Sequence, residues 1–202
     1  MGYTHYWAYL PTHPDYATAW PTILADTHRI IEWAHRAGIA VAGPNGRGRP
    51  VLDRERGIEF NGAATRDLDC DSFQLLAPLP AVRGGEPLAA AFCKTWREPY
   101  DLVVAATMLR CHLLLPESFF IASDGQWNRE WSHGALAFDA AQPQEVGART
   151  LVGDLFGAVP TGDPLRPELP GATYRAGTST RGDDPNDDSQ DGQGGAVDAV
   201  VL

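Results

Sequence analysis

The chain has 202 residues, 44% hydrophobic and 21% charged, with 21 Gly and 16 Pro, a length that suits one domain and an appendage. Its formal net charge of −10 is uneven: residues 1–150 carry 13 basic and 17 acidic side chains, and residues 151–202 carry 3 and 9. That balance excludes a strongly basic surface for polymeric nucleic acid, and no apolar run reaches the roughly 18 residues that a membrane helix needs.

Taken in chain order, Tyr3 to Tyr9 reads as a strand, aromatic-rich and closed by Leu10-Pro11, where proline removes a ladder donor. A helical pattern follows from about Asp15 to Arg36. Trp20, Ile23, Leu24, Thr27, Ile30, Ile31 and Ala34 recur at spacings of three and four, which makes one buried stripe. Pro21 places the expected helix start near Trp20-Pro21, with proline in the first turn, and Gly38 caps the other end. Ile39 to Ala42 predicts a second strand. The turn-rich loop Gly43–Pro50 then reads as a hairpin tip. Val51–Asp53, Gly57–Asn61 and Asp71–Leu76 predict further short strands, with Asn61-Gly62 as a turn. Pro99 to Leu115 is the strongest buried helix, with Asp101 at the positive end of its dipole. Phe119–Ala122 predicts a strand, and Gln126 to Trp131 a helix that stacks Trp127 on Trp131.

The expected fold is therefore α+β: a single domain over residues 1–155, with a mostly antiparallel sheet and two main helices on one face. From 156 to 202 the chain is rich in Gly, Pro and Asp, a composition that predicts a disordered acidic tail. The apolar last six residues, Val197 to Leu202, carry two readings, a frayed end or a docking segment.

Chemistry-bearing residues are sparse. Cys70, Cys93 and Cys111 are odd in number and lack CxxC spacing, which argues against disulfides or a cysteine zinc site and fits a reducing cytoplasm. The start Met1-Gly2-Tyr3-Thr4-His5 lacks the basic and apolar regions of a secretory signal. His28 and His35 lie two turns apart, about 10 Å, too far for one metal ion. No metal and no cofactor is indicated. The densest segment is Phe92 to Asp101. Cys93, Lys94, Thr95 and Arg97 precede a helix N-terminus, where Lys94, Thr95 and Arg97 can bind a phosphate or carboxylate. The same setting is expected to lower the Cys93 pKa. The competing reading is a solvated helix entry with Cys93 filling the core. In the first strand Tyr3, His5, Trp7 and Tyr9 share one face and Tyr6 the other, so the aromatics either build core or stack on a planar ligand.

The ordered landmarks are Met1-Gly2-Tyr3-Thr4-His5-Tyr6-Trp7, Ile58-Glu59-Phe60-Asn61-Gly62, Phe92-Cys93-Lys94-Thr95 with Arg97, Pro99-Tyr100-Asp101, and Ile121-Ala122-Ser123-Asp124-Gly125. The series resembles a family of small, largely uncharacterised bacteriophage and prophage proteins, over roughly residues 1–140. Trp96 and Glu98 depart from its pattern, replacing a small or polar residue and a basic one. The resemblance implies a phage-type context in the host cytoplasm and no particular reaction.

The expected function is a phage-type ligand-binding protein that sequesters a small anionic, nucleotide-like signal as counter-defence. Tyr3, Tyr6 or Trp7 would stack on the ligand, Lys94, Thr95 and Arg97 would contact the anion, and His5, Asn61 and Asp124 would orient it, with Cys93 nearby. Two alternatives stand beside it. One is a hydrolase of a similar ligand, with His5 as base assisted by Cys93 or Asp124. The other is a protein–protein inhibitor acting through the acidic tail. No nucleic-acid polymer and no membrane are expected as partners, and homo-oligomerisation is left open.

Overall fold

A computed structural model describes residues 3–80, 88–133 and 146–170, and the backbone of Val200–Val201. The aromatic first segment is β1 (Thr4–Tyr9), an inner strand of an antiparallel sheet. It pairs on one side with β7 (Phe119–Ser123) and on the other with β6 (Ala89–Lys94). Beyond β6, β8 (Val200–Val201) pairs with Ala89 and Ala90. Strand alternation divides β1 as its sequence predicts. His5, Trp7 and Tyr9 face inward and are buried, while Tyr6 packs outward against Phe92.

A second, smaller sheet surrounds β4 (Gly57–Gly62), which pairs with β2 (Val41–Ala42), β3 (Val51–Asp53) and β5 (Phe73–Leu75). The chain is thus α+β with antiparallel strands, but these form two sheets. Phe73 joins the two sheets, its ring 4.7 Å from Trp7 and 4.9 Å from Phe60 between centroids. Gly43–Pro50 is not a hairpin tip, because β2 and β3 each pair with β4. Asn61-Gly62 belongs to β4, and the chain turns later, at Ala64–Arg66 with Asp67 left-handed.

The first helix, α1 (Pro14–Arg36), begins nearly two turns earlier than Pro21 suggests. His13 caps it, its Nδ1 accepting from the Asp15 N–H at 3.2 Å. Pro21 deprives the Ala17 carbonyl of its helical donor, but both residues are exposed, so water replaces it. The extra length carries Tyr16 into the core, its ring tilted against those of Tyr9 and Trp20, with its hydroxyl donating to the Leu76 carbonyl at 2.7 Å. That burial outweighs the cost of one lost hydrogen bond.

The second helix, α2 (Asp101–Leu114), is apolar on nearly every face and buried from Asp101 through Leu109, as a helix without a polar stripe must be. It packs against α1, the inward face of the first sheet and a further helix, α4 (Ala148–Phe156). α4 has no counterpart in the sequence reading. It buries Ala148, Leu151 and Val152 and ends at Gly157, whose φ of 71° suits a left-handed cap. Arg29 and Arg110, both on Asp26, hold their guanidiniums 4.8 and 4.5 Å from the Phe156 ring centroid. The helix expected over 126–131 is reduced to one turn, α3 (Glu130–His133), with Trp127 in the preceding turn.

Packed chain extends beyond the boundary drawn at 155. Leu165 bridges to Ile121, the Arg166 N–H donates to the Ile121 carbonyl at 2.8 Å, and Leu169 is buried against Ala8 and Ala122. The composition of 156–170 concealed this, because backbone pairing at Leu165 and Arg166 and one buried leucine suffice to anchor a strap that is otherwise polar. Residues 171–199, most of the expected tail, lie outside the described residues. No described helix is long and apolar enough to cross a membrane.

Candidate functional site

The segment between β6 and α2 folds against the start of β1. The N–H groups of Thr95 and Trp96 both donate to the Tyr3 carbonyl, at 2.9 and 3.3 Å. Glu98 then donates to Thr95 and Asp101 to Glu98, at 2.9 and 2.8 Å. This tight path puts Trp96 and Arg97 at φ of 54° and 65°. Two successive non-glycine residues in the left-handed region cost roughly 1–3 kcal/mol each, so the surroundings must hold them there.

A buried polar network does so. Asp101, the first residue of α2, accepts from His5 Nε2 at 2.9 Å and from the Thr95 hydroxyl, both at the same carboxylate oxygen. The carboxylate only accepts, so the imidazole proton lies on Nε2. His5 is wholly buried, its ring edge-on to Tyr3 at 5.3 Å and to Trp131 at 5.5 Å. Among the described residues, His5 Nδ1 and Trp131 Nε1 have no hydrogen-bond partner. Burial, with Asp101 and Glu130 adding to it, pushes the Tyr3 hydroxyl up, and Ser123 hydrogen-bonds to it. The Tyr3 hydroxyl fills the space where a side chain at Gly125 would project, which is why that turn requires glycine.

Cations lie on the outside of this network. The Arg97 guanidinium is 4.3 Å from the Tyr3 ring centroid, and the Lys94 ammonium 4.7 Å from that of Trp96. Among the described residues neither cation is ion-paired with a carboxylate. Trp96 is 50% exposed and Phe92 42%.

The structure therefore brings together Tyr3, His5, Thr95 and Arg97, with Lys94 at their edge. Asp124 is close by, its carboxylate accepting from the Thr4 N–H at 3.0 Å and its own N–H donating to the Thr4 carbonyl at 3.0 Å. Other candidates are elsewhere or occupied. Trp7 is core, tilted on Phe73. Asn61 lies in the second sheet, its amide spent on the backbone of Gly62 and Cys70. Thr95 is buried with its hydroxyl committed to Asp101, so it has no proton left for an external anion. The expectation for the Cys93 thiol is reversed. Complete burial, reinforced by Asp71, pushes its pKa well above the ordinary range, and it donates to the Asp71 carbonyl at 3.2 Å.

Asp101, Trp131 and Trp96 complete the arrangement. Asp101 was legible only as a dipole residue, since nothing local announces a partner 96 residues away. The His–Asp pair has the form of an oriented base, but an enclosed imidazole does not reach an external proton in this conformation. Among the described residues no group of three or more His, Cys, Asp or Glu side chains is placed to hold a metal ion. Compared with models of known families, with curated proteins and with solved structures, the chain matches none.

Proposed function

We propose that this is a phage-type binding protein that captures a small anionic, nucleotide-like molecule at the turn after β6. The observation that carries this reading is the half-exposed Trp96, held in left-handed backbone between two cations that face rings instead of carboxylates. Such cations retain their charge for an incoming anion, and strain of this kind gathers at ligand contacts. Capture without turnover would withdraw a signalling nucleotide from the host, a counter-defence role in keeping with the resemblance to phage proteins. His5 favours binding over hydrolysis, because it is enclosed and committed to Asp101.

Isothermal titration of the full chain with mononucleotides, dinucleotides and cyclic nucleotides is the test. Saturable heat from at least one, lost in Lys94→Ala, is the expected result, and silence from all of them overturns the reading. Chromatography of the recovered ligand separates the two activities: intact ligand supports capture, and converted ligand supports the hydrolase.

A further inference from the structure

The first sheet has an outward face that the described helices do not cover. Alternation from the buried Cys93 places Ala90, Phe92 and Lys94 on it, and the strand register sets Phe92 beside Tyr6 and Lys94 beside Thr4. The segment around Leu169 covers the β7 side of this face and reaches across β1 to Ala90 of β6. There Leu169 seats on Ala8 and Ala122, and the Arg166 guanidinium lies 4.3 Å from the Phe120 ring centroid. On the β6 half Phe92 and Trp96 stay open, two large apolar side chains separated by the chain's only lysine. The Tyr6 ring backs Phe92, 6.3 Å between centroids.

We infer that this half-face is a platform for a nucleobase, with the ring of a nucleoside monophosphate against Phe92 and Trp96 and its phosphate at Lys94. The assignment rests on the binding reading above and adds the class of ligand: a phosphate that carries a planar heterocycle, not a sugar phosphate or inorganic anion. Three observations support it. Exposed aromatics on an antiparallel sheet give bases a flat stacking surface. A cation beside them supplies the complementary charge. The size is also right, because the strap cluster reaches Ala90 and the exposed apolar residues beyond it are Phe92 and Trp96, and the chain's charge of −10 works against a long polyanion.

The test titrates the full chain with AMP, GMP, CMP, UMP, ribose 5-phosphate, inorganic phosphate and a single-stranded octanucleotide. At least one mononucleotide is expected to bind, with ribose 5-phosphate and phosphate weaker by about tenfold or more, the scale of one stacked base. Phe92→Ala is expected to weaken the mononucleotide by a similar factor and leave the circular dichroism spectrum unchanged. Ribose 5-phosphate binding as tightly as the nucleotides overturns the platform and leaves the anion site standing. Equal affinity in Phe92→Ala also overturns the platform. Silence from every probe overturns both readings, and an octanucleotide that binds far more tightly than any mononucleotide replaces the small ligand with a single strand.

Discussion

Asp101 shows what one buried carboxylate does here. It ties the first strand to the start of α2 through His5 and Thr95, and so fixes the turn that displays Trp96 and Arg97. Asp101→Ala leaves an imidazole N–H buried without a partner and the Thr95 hydroxyl with only the Tyr3 carbonyl, 3.4 Å away. The expected loss is on the order of 3 kcal/mol, or roughly 6–12 °C in melting temperature for a domain of this size, measured by thermal unfolding. A change under about 1 kcal/mol would mean that the network does not hold the turn. The cysteines give a second check at this scale. Burial pushes the Cys93 and Cys111 thiols up, and Cys70, partly exposed, is pushed to about 11. Because the thiolate is the reactive form, iodoacetamide at pH 8 should leave Cys93 and Cys111 unlabelled in the native protein and modify all three after unfolding. Rapid native labelling of Cys93 would restore the reactive-thiol reading. Local composition suggested that reading because Lys94 and Arg97 are neighbours in sequence. In the fold, Cys93 points inward, toward Asp71.

At the scale of elements, those marked by periodicity or apolar content were legible, the short strands β2, β3, β5 and β7 included, and those without such a mark were not. β1, β3, β4 and α2 lie where alternation and apolar content place them. β6 was hidden because Ala89-Ala90-Ala91 carries no strand preference, and its identity comes from pairing with β1. α1 crosses Pro21 because Tyr16 finds aromatic partners that a local rule cannot see. The strap at Leu165–Leu169 is the clearest case of distant packing. Leu169 is buried only because Ala8 and Ala122 are small. Leu169→Asp is expected to destabilise the fold by about 2–3 kcal/mol, the burial of one leucine, and to make the chain after Phe156 sensitive to protease. Equal proteolysis of the variant and the parent would show that the strap does not depend on this contact.

The charge that stands out in the composition has a clear location at the scale of the whole molecule. Residues 171–202 hold six aspartates and two arginines, whereas the cations near the candidate site are Lys94 and Arg97. Deleting residues 171–202 is expected to leave cooperative unfolding intact, because the core clusters of the described residues are complete by Leu169. The same deletion removes β8 from the edge of β6, so amide exchange at Ala89 and Ala90 should accelerate. Loss of cooperative folding in the deletion variant would show that the domain extends past Pro170.

By itself the sequence determined the class of fold, the inward and outward faces of β1 and the burial of α2, and it marked the segment from Phe92 to Asp101 as a candidate. These follow from periodicity and composition, which act over a few residues. Only the tertiary structure decided which of those residues share a site. It paired His5 with Asp101, withdrew Cys93, Thr95 and Asn61 into the interior, and left Trp96 and Phe92 in the open. The physical reason is that hydrogen-bond satisfaction and burial are set by partners far along the chain, and one strand register settles them together.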